Sequence, residues 1–248
     1  MLITVVSIFP GMFEVLNYGI IKRAKDTGLV NIEVINLRDF AADRRRNVDD
    51  YDYGGGTGMV MKADVFFHFK DWYEKHSGKG YVLLMSPKGS VFTHEKAVEL
   101  ANKKHLVLLC GRYKGVDERV KDMVDEELSI GDFVLSGGEL AAMVIIDAVS
   151  RQIPGVVGKM ESVENDSFYN GYLDYPHYTR PANLNGKKVP DVLLSGAHEK
   201  IDLYRKMESI KETILKRPDL FIKKQLNEED KKMIAELIRS LVKNKDAG

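Results

Sequence analysis

Leu106-Val107-Leu108-Leu109-Cys110-Gly111-Arg112-Tyr113-Lys114-Gly115 is the stretch on which the fold turns. Its apolar residues run without a polar interruption from Leu106 to Cys110 and stop at a glycine. A half-exposed strand alternates apolar with polar residues, so an unbroken run belongs to a strand covered on both faces. Leu2 to Ile8, Val30 to Leu37 and Tyr81 to Ser86 are likewise short and nearly continuous in apolar residues. Between these runs lie helical patterns from Pro10 to Leu16, with proline in the first turn, from Ala63 to Lys75 and from His94 to Asn102. Buried strands alternating with helices predict an α/β domain with a mostly parallel sheet. Glu139 to Ser150 is apolar nearly all round and predicts a buried helix or a contact between subunits.

From Ile153 to about Pro190 the periodicity fades, and Pro154, Gly155, Gly158, Gly171, Pro176, Pro181, Gly186 and Pro190 punctuate the chain. Connections this long are functional or linking. Ala197 to Lys216 and Asn227 to Val242 then read as amphipathic helices rich in Lys and Glu. The expected division is an α/β domain over 1–158, a linker over 159–176 and a small helical domain over 177–248.

The 248 residues carry 37 Lys and Arg against 37 Asp and Glu, with 44% apolar and 30% charged residues. That is a globular composition, and its zero net charge argues against a polybasic coat or a strongly basic membrane binder. The zero is a sum of opposed regions. His177 to Lys224 holds eleven Lys and Arg against six acids, Arg44-Arg45-Arg46 adds a second basic cluster, and Gly111 to Glu139 holds eight acids and four bases. Cys110 is the single cysteine, so no intrachain disulfide forms and a reducing compartment is expected. No stretch approaches the ~18 apolar residues of a membrane helix. Met1 to Phe9 lacks a basic leader and stops at Pro10, so it reads as a first strand rather than a signal peptide, and the expected location is the cytoplasm. The histidines form none of the spacings that bind zinc, so no metal site is expected from them, and His177 suits packing or phosphate contact better than ligation.

Two kinds of glycine cluster could carry chemistry. Tyr53-Gly54-Gly55-Gly56-Thr57-Gly58-Met59 is the first, but a dinucleotide-binding loop follows a buried strand, whereas Arg44 to Asp52 precede this one. The preferred reading is a loop whose bare backbone approaches a ligand or a polynucleotide, with a plain surface loop as the alternative. The second kind is an apolar strand ending in small residues: Leu83 to Gly89, Leu108 to Gly115, and Ser129-Ile130-Gly131-Asp132-Phe133-Val134-Leu135-Ser136-Gly137-Gly138-Glu139. Ligands of open α/β sheets bind beyond the carboxyl ends of the strands, where three such ends can converge and let backbone groups approach a purine. Each segment taken singly is equally a turn.

Gly111-Arg112-Tyr113, Asp117-Glu118-Arg119, Ser129-Ile130-Gly131-Asp132, Val134 to Glu139, Pro176-His177-Tyr178-Thr179-Arg180-Pro181 and Val192-Leu193-Leu194-Ser195-Gly196 together resemble the bacterial tRNA (guanine-N1-)-methyltransferases, the TrmD family. The resemblance runs from Phe9-Pro10 to about Pro218 and includes the Tyr53 to Met59 loop. It implies a knotted SPOUT-type α/β domain with a mostly parallel sheet, followed by the small helical C-terminal domain. It also implies a homodimer that uses S-adenosylmethionine to methylate the guanosine immediately 3′ of the tRNA anticodon. The knot comes from the resemblance alone, since ordinary topology rules treat true knots as essentially absent.

Carried over residue by residue, the family's cofactor site falls on Leu84, Ser86, Pro87, Gly111, Tyr113, Ile130, Gly131, Phe133, Leu135, Gly137 and Gly138. Phe133 stands where many members have tyrosine, and Lys114 stands where many have glutamate, which weighs against the magnesium dependence that the family raises. The implied catalytic pair is Asp166 as general base and Arg151 as the group facing charge on guanine O6, with Asp174 reading the base edge. His177, Arg180, Gly55 and Gly56 are the further expected tRNA contacts, and the C-terminal Lys and Arg residues suit phosphates. The rival readings are a nicotinamide-dependent oxidoreductase using Gly54 to Gly58 and a non-enzymatic RNA-binding module.

Overall fold

The computed structural model describes residues 1–158 and 166–245, so the expected linker over 159–176 lies in part outside the described residues. The chain forms two compact units, Met1–Met160 and Glu161–Gly248. In the first unit the strands are β1 (Leu2–Ser7), β2 (Asn31–Asn36), β3 (Asp49–Tyr51), β4 (Met59–Met61), β5 (Tyr81–Val91), β6 (His105–Cys110) and β7 (Glu126–Ser129). The helices are α1 (Gly19–Asp26), α2 (Ala63–Ser77), α3 (His94–Ala101) and α4 (Glu139–Arg151).

A five-stranded sheet has the order β2-β1-β6-β5-β7, and every pair in it is parallel. The register sets Val5 between Val34 and Leu108, and Leu84 beside Leu109. The unbroken apolar run of β6 is divided between two cores. Leu106, Leu108 and Cys110 join Ile3, Val5, Leu100, Ile145 and Ile146 on one face. Val107 and Leu109 join Val6, Phe66 and Phe69 on the other. Helices α1, α3 and α4 cover the first face and α2 the second. Full burial of each such side chain is worth about 1.5–3 kcal/mol, which is why β6 holds no polar residue from Leu106 to Cys110.

Four features differ from the sequence expectation. The Pro10 segment is a 3-10 helix, Pro10–Asn17, ended by extended Tyr18, and Gly19 at φ +61 opens α1. Strand β5 continues past Ser86 to Val91, with its register to β7 shifting between Met85 and Ser90. Gly89 permits that continuation, because a Cβ there would stand 2.3 Å from the Glu127 backbone. The segment expected as an apolar strand from Ser129 onward is led by a strand that precedes it, the acidic-looking β7. Finally, α4 is two-faced rather than buried all round: Ala142, Ile145, Ile146 and Val149 are buried while Leu140 and Val144 are 49% and 47% exposed.

The second unit contains helices Asp191–Leu194, His198–Lys216, Pro218–Lys223 and Glu228–Lys245, and a two-stranded hairpin, Asn183–Leu184 with Lys187–Lys188. Its core gathers Tyr172, Ile210, Met233 and Leu237. The Tyr172 hydroxyl donates to buried Asp230 Oδ2 at 2.8 Å, and Lys206 Nζ approaches Asp230 Oδ1 at 3.2 Å. Leu173 N donates to Thr213 Oγ1 at 2.8 Å, tying the irregular segment to the longest helix. Among the described residues no helix is long and apolar enough to cross a membrane.

Candidate active site

Parallel strands place their carboxyl ends at one edge of the sheet, and β5, β6 and β7 end around a cavity of about 220 Å³. Leu84, Ser86 and Pro87 reach it from β5, and Gly111 and Tyr113 from the turn after β6. Ile130, Gly131, Phe133, Leu135, Gly137 and Gly138 reach it from the connection between β7 and α4. The structure thus brings together every residue expected at the cofactor.

The connection is closed back onto β6 by backbone contact. Gly138 N donates to Gly111 O at 2.8 Å, and Arg112 and Gly137 form an antiparallel bridge. This approach requires bare glycine: a Cβ on Gly138 would lie 2.8 Å from Met85 Cβ and 3.0 Å from Cys110 Cα. Tyr113 takes the left-handed conformation at φ +60, which costs a non-glycine residue about 1–2 kcal/mol and is characteristic of functional turns.

Beneath the cavity lies a buried ionic network that the sequence reading missed. Glu139, at 0% exposure in the first turn of α4, accepts from Ser7 Oγ at 2.7 Å and from Arg112 Nε at 2.9 Å. The Arg112 guanidinium lies 4.6 Å from the centre of the Phe9 ring and donates to Ser136 O at 3.3 Å. A carboxylate at a helix N-terminus is also stabilised by the helix dipole. The network joins β1, the β6 turn and α4 across 132 residues of sequence. Its available signal was Ser7, a polar residue closing an apolar strand, together with an acid directly after Gly137-Gly138.

Lys121 bridges Glu118 and Glu127 at 2.7 and 3.1 Å on the cavity wall. Burial pushes the Glu127 carboxyl up, but the Ser86 hydroxyl and Lys121 together hold it below the usual carboxylate range. Burial also pushes the Cys110 thiol well up, and Glu139 adds to that, so the thiol stays protonated and unreactive.

Gly55 and Gly56 lie at the tip of the β3–β4 hairpin, where Gly54, Gly55, Gly56 and Gly58 all have positive φ. Arg151 is the last residue of α4. Asp166, Asp174, His177 and Arg180 belong to the second unit. There Asp166 O accepts from Tyr169 N, and Asp174 N donates to Ser167 Oγ at 2.9 Å. Asp174 Oδ2 pairs with His177 Nε2 at 2.7 Å, which orients the imidazole, and Arg180 is exposed. Among the described residues no group of three His, Cys, Asp or Glu is placed to hold a metal ion, and the lining residue at 114 is an ammonium.

The family model for "tRNA (Guanine-1)-methyltransferase TrmD" matches residues 1–223. The chain belongs to this family. Within the TrmD family it is 58% identical over 243 residues to the tRNA (guanine-N(1)-)-methyltransferase of Thermotoga maritima, covering 98% of this chain and 99% of that protein. The namesake from Fervidobacterium nodosum is 54% identical over 245 residues, at 98% and 99% coverage. That from Clostridium tetani is 48% identical over 233 residues, at 94% and 97% coverage. The TrmD match spans all of the cavity segments, the glycine hairpin and the second-unit residues Asp166 to Arg180.

Proposed function

We propose that the protein transfers the methyl group of S-adenosylmethionine to N1 of the guanosine immediately 3′ of the anticodon in tRNA. The observation that carries this reading is one cavity at the ends of β5, β6 and β7, lined by all three glycine-bearing segments, in a chain of the TrmD family. The wall chemistry fits an adenosine: Leu84, Ile130 and Leu135 offer apolar surface, and the glycine segments offer backbone N–H and C=O groups between them.

When bound, the sulfonium supplies an already activated methyl group. What remains for the chain is to position the base and to move one proton. Guanine N1 carries a proton at neutral pH, so its lone pair becomes nucleophilic only as that proton leaves. The Asp166 carboxylate accepts it while the N1–carbon bond forms and the carbon–sulfur bond breaks, leaving S-adenosylhomocysteine. General-base help of this kind is worth ~10²–10⁴ in rate. Arg151 donates to the negative charge that grows on O6, and Asp174 reads the base edge, oriented with His177. The target base is turned out of its stack to reach the cavity. Arg180, Gly55, Gly56 and the lysines and arginines of the second unit hold the RNA, mainly through phosphates.

The protein works as a homodimer in the cytoplasm. Exposed Leu140 and Val144 on α4, with exposed Val15 in the Pro10–Asn17 segment that packs against α4 and exposed Tyr18 at its end, support a subunit contact. The test of the function is incubation with methyl-labelled S-adenosylmethionine and two tRNA transcripts, one with guanosine and one with adenosine 3′ of the anticodon. Label in N1-methylguanosine from the first transcript only is the expected outcome. Binding of tRNA without transfer would leave the RNA-binding module, and tight NAD binding without S-adenosylmethionine binding would leave the oxidoreductase.

A further inference from the structure

Lys114 is one of two cavity cations that the wall itself leaves over. Arg112 is held by Glu139 and Lys121 by Glu118 and Glu127, while Lys88, on the β5 side, like Lys114 has no ion pair among the described residues. Among the described residues no carboxylate lies within ion-pair distance of Lys114, although it lines the same cavity.

Its side chain is nevertheless placed with care. Tyr113 at φ +60 and Gly115 at φ +120 form a turn that carries residue 114 over the β3–β4 hairpin. The backbone is pinned there on both sides, with Lys114 N donating to Met59 O and Met61 N donating to Gly115 O, each at 3.0 Å. The aliphatic stem then crosses the glycine tip. A Cβ on Gly58 would stand 3.2 Å from Lys114 Cε and 3.3 Å from Cγ, and one on Gly56 would stand 3.0 Å from Nζ. Glycine at 56 and 58 therefore makes the channel in which the stem lies, and the ammonium ends beside Gly56. A long lysine stem normally loses rotamer freedom when a ligand is bound, and here the hairpin has already ordered it.

We propose that Lys114 is the carboxylate-binding residue of this cavity, its ammonium pairing with the α-carboxylate of the amino-acid tail of an adenosyl cofactor. The assignment rests on the function proposed above and deepens it. Such a ligand has a neutral nucleoside and a zwitterionic tail whose carboxylate is its one anionic group. The glycine and apolar walls suit the nucleoside, while the two acids of the wall, Glu118 and Glu127, share Lys121. The uncompensated cation on the hairpin side is the complement of the carboxylate, and it fixes which end of the ligand lies under the hairpin.

The test compares two thioethers by isothermal titration calorimetry on the full chain: S-adenosylhomocysteine and 5′-methylthioadenosine, which lacks the amino-acid tail. For Lys114→Met the expected result is about a tenfold loss of affinity for S-adenosylhomocysteine and none for 5′-methylthioadenosine, the size of a charge-assisted hydrogen bond. Lys114→Arg keeps the charge and should bind both within about threefold of wild type by the same arithmetic. Unchanged affinity for both ligands in Lys114→Met overturns the assignment and leaves the ammonium to RNA phosphate or solvent. An equal loss for both ligands overturns it as well, making Lys114 a scaffold of the hairpin. A wild-type protein that binds neither thioether removes the functional reading itself, before any variant is compared.

Discussion

Replacing Glu139 by glutamine tests whether the ionic network beneath the cavity holds the glycine segments in place. The change keeps the size of the side chain and removes its charge. Glu139 is fully buried and accepts from two donors, Ser7 Oγ and Arg112 Nε, on separate oxygens. Glutamine offers one acceptor and turns an N–H₂ toward the other donor. Arg112, with its side chain only 16% exposed, keeps its charge against the Phe9 ring, the Ser136 carbonyl and the Met12 sulfur. Breaking one partner of a buried pair costs about 3–5 kcal/mol, and the residual exposure of Arg112 argues for the lower end. About 3 kcal/mol corresponds to a fall in melting temperature of roughly 6–12 °C at this chain length. Urea unfolding of wild type, Glu139→Gln, Arg112→Met and the double variant, followed by tryptophan fluorescence from Trp72 in the first unit, measures it. The double variant should lose less than the sum of the single losses by about 1–3 kcal/mol. Additive losses, or a Glu139→Gln variant within about 1 kcal/mol of wild type, would refute the reasoning.

Gly138→Ala forces a Cβ against Met85 and the Cys110 backbone, so a cost of about 1–3 kcal/mol and weakened S-adenosylhomocysteine binding are expected, both read in one thermal-shift titration. Asp166→Asn should retain S-adenosylhomocysteine affinity while single-turnover methyl transfer falls ~10²–10⁴-fold, and wild-type turnover would sink the general-base assignment. Burial holds the His105 imidazole below its ordinary value near 6.5, so the unfolded chain takes up the proton first as pH falls. The stability contributed by the neutral ring is complete above about pH 6.5 and is lost as pH falls toward the lower folded value. The stability gap between wild type and His105→Gln should therefore narrow from pH 7 to pH 5, although Thr4 Oγ1 at 2.9 Å keeps part of it. The excess of five positive charges between His177 and Lys224 predicts that tRNA affinity falls about a hundredfold between 50 and 200 mM salt. Flat affinity would mean that those charges serve as a solvated face.

The legible parts of the fold were those that local periodicity encodes. β6 from Leu106 to Cys110 is an unbroken apolar run because both faces of the sheet are covered, and β1 is nearly so, while the edge strand β2 keeps Ile32, Val34 and Ile35 among polar residues. β7 was not legible, because Glu126 and Glu127 look like surface residues until Lys96 and Lys121 are brought against them. The far half of β5 was hidden for a related reason: Pro87 and Gly89 signal a turn locally, while Gly89 serves the close passage of a neighbouring strand.

The same division runs through the candidate site. By itself the sequence determined that glycine-ended strands exist, which segments resemble the TrmD family, and that the neutral total conceals a basic stretch from His177 to Lys224. Those properties depend on residue type and spacing within a few turns of chain. Only the tertiary structure decided that Ser7, Arg112 and Glu139 share one buried charge, and that the Lys114 stem lies across Gly56 and Gly58. Such contacts join segments far apart in sequence, and the parallel strand order, rather than any local propensity, brings their ends to one edge of the sheet.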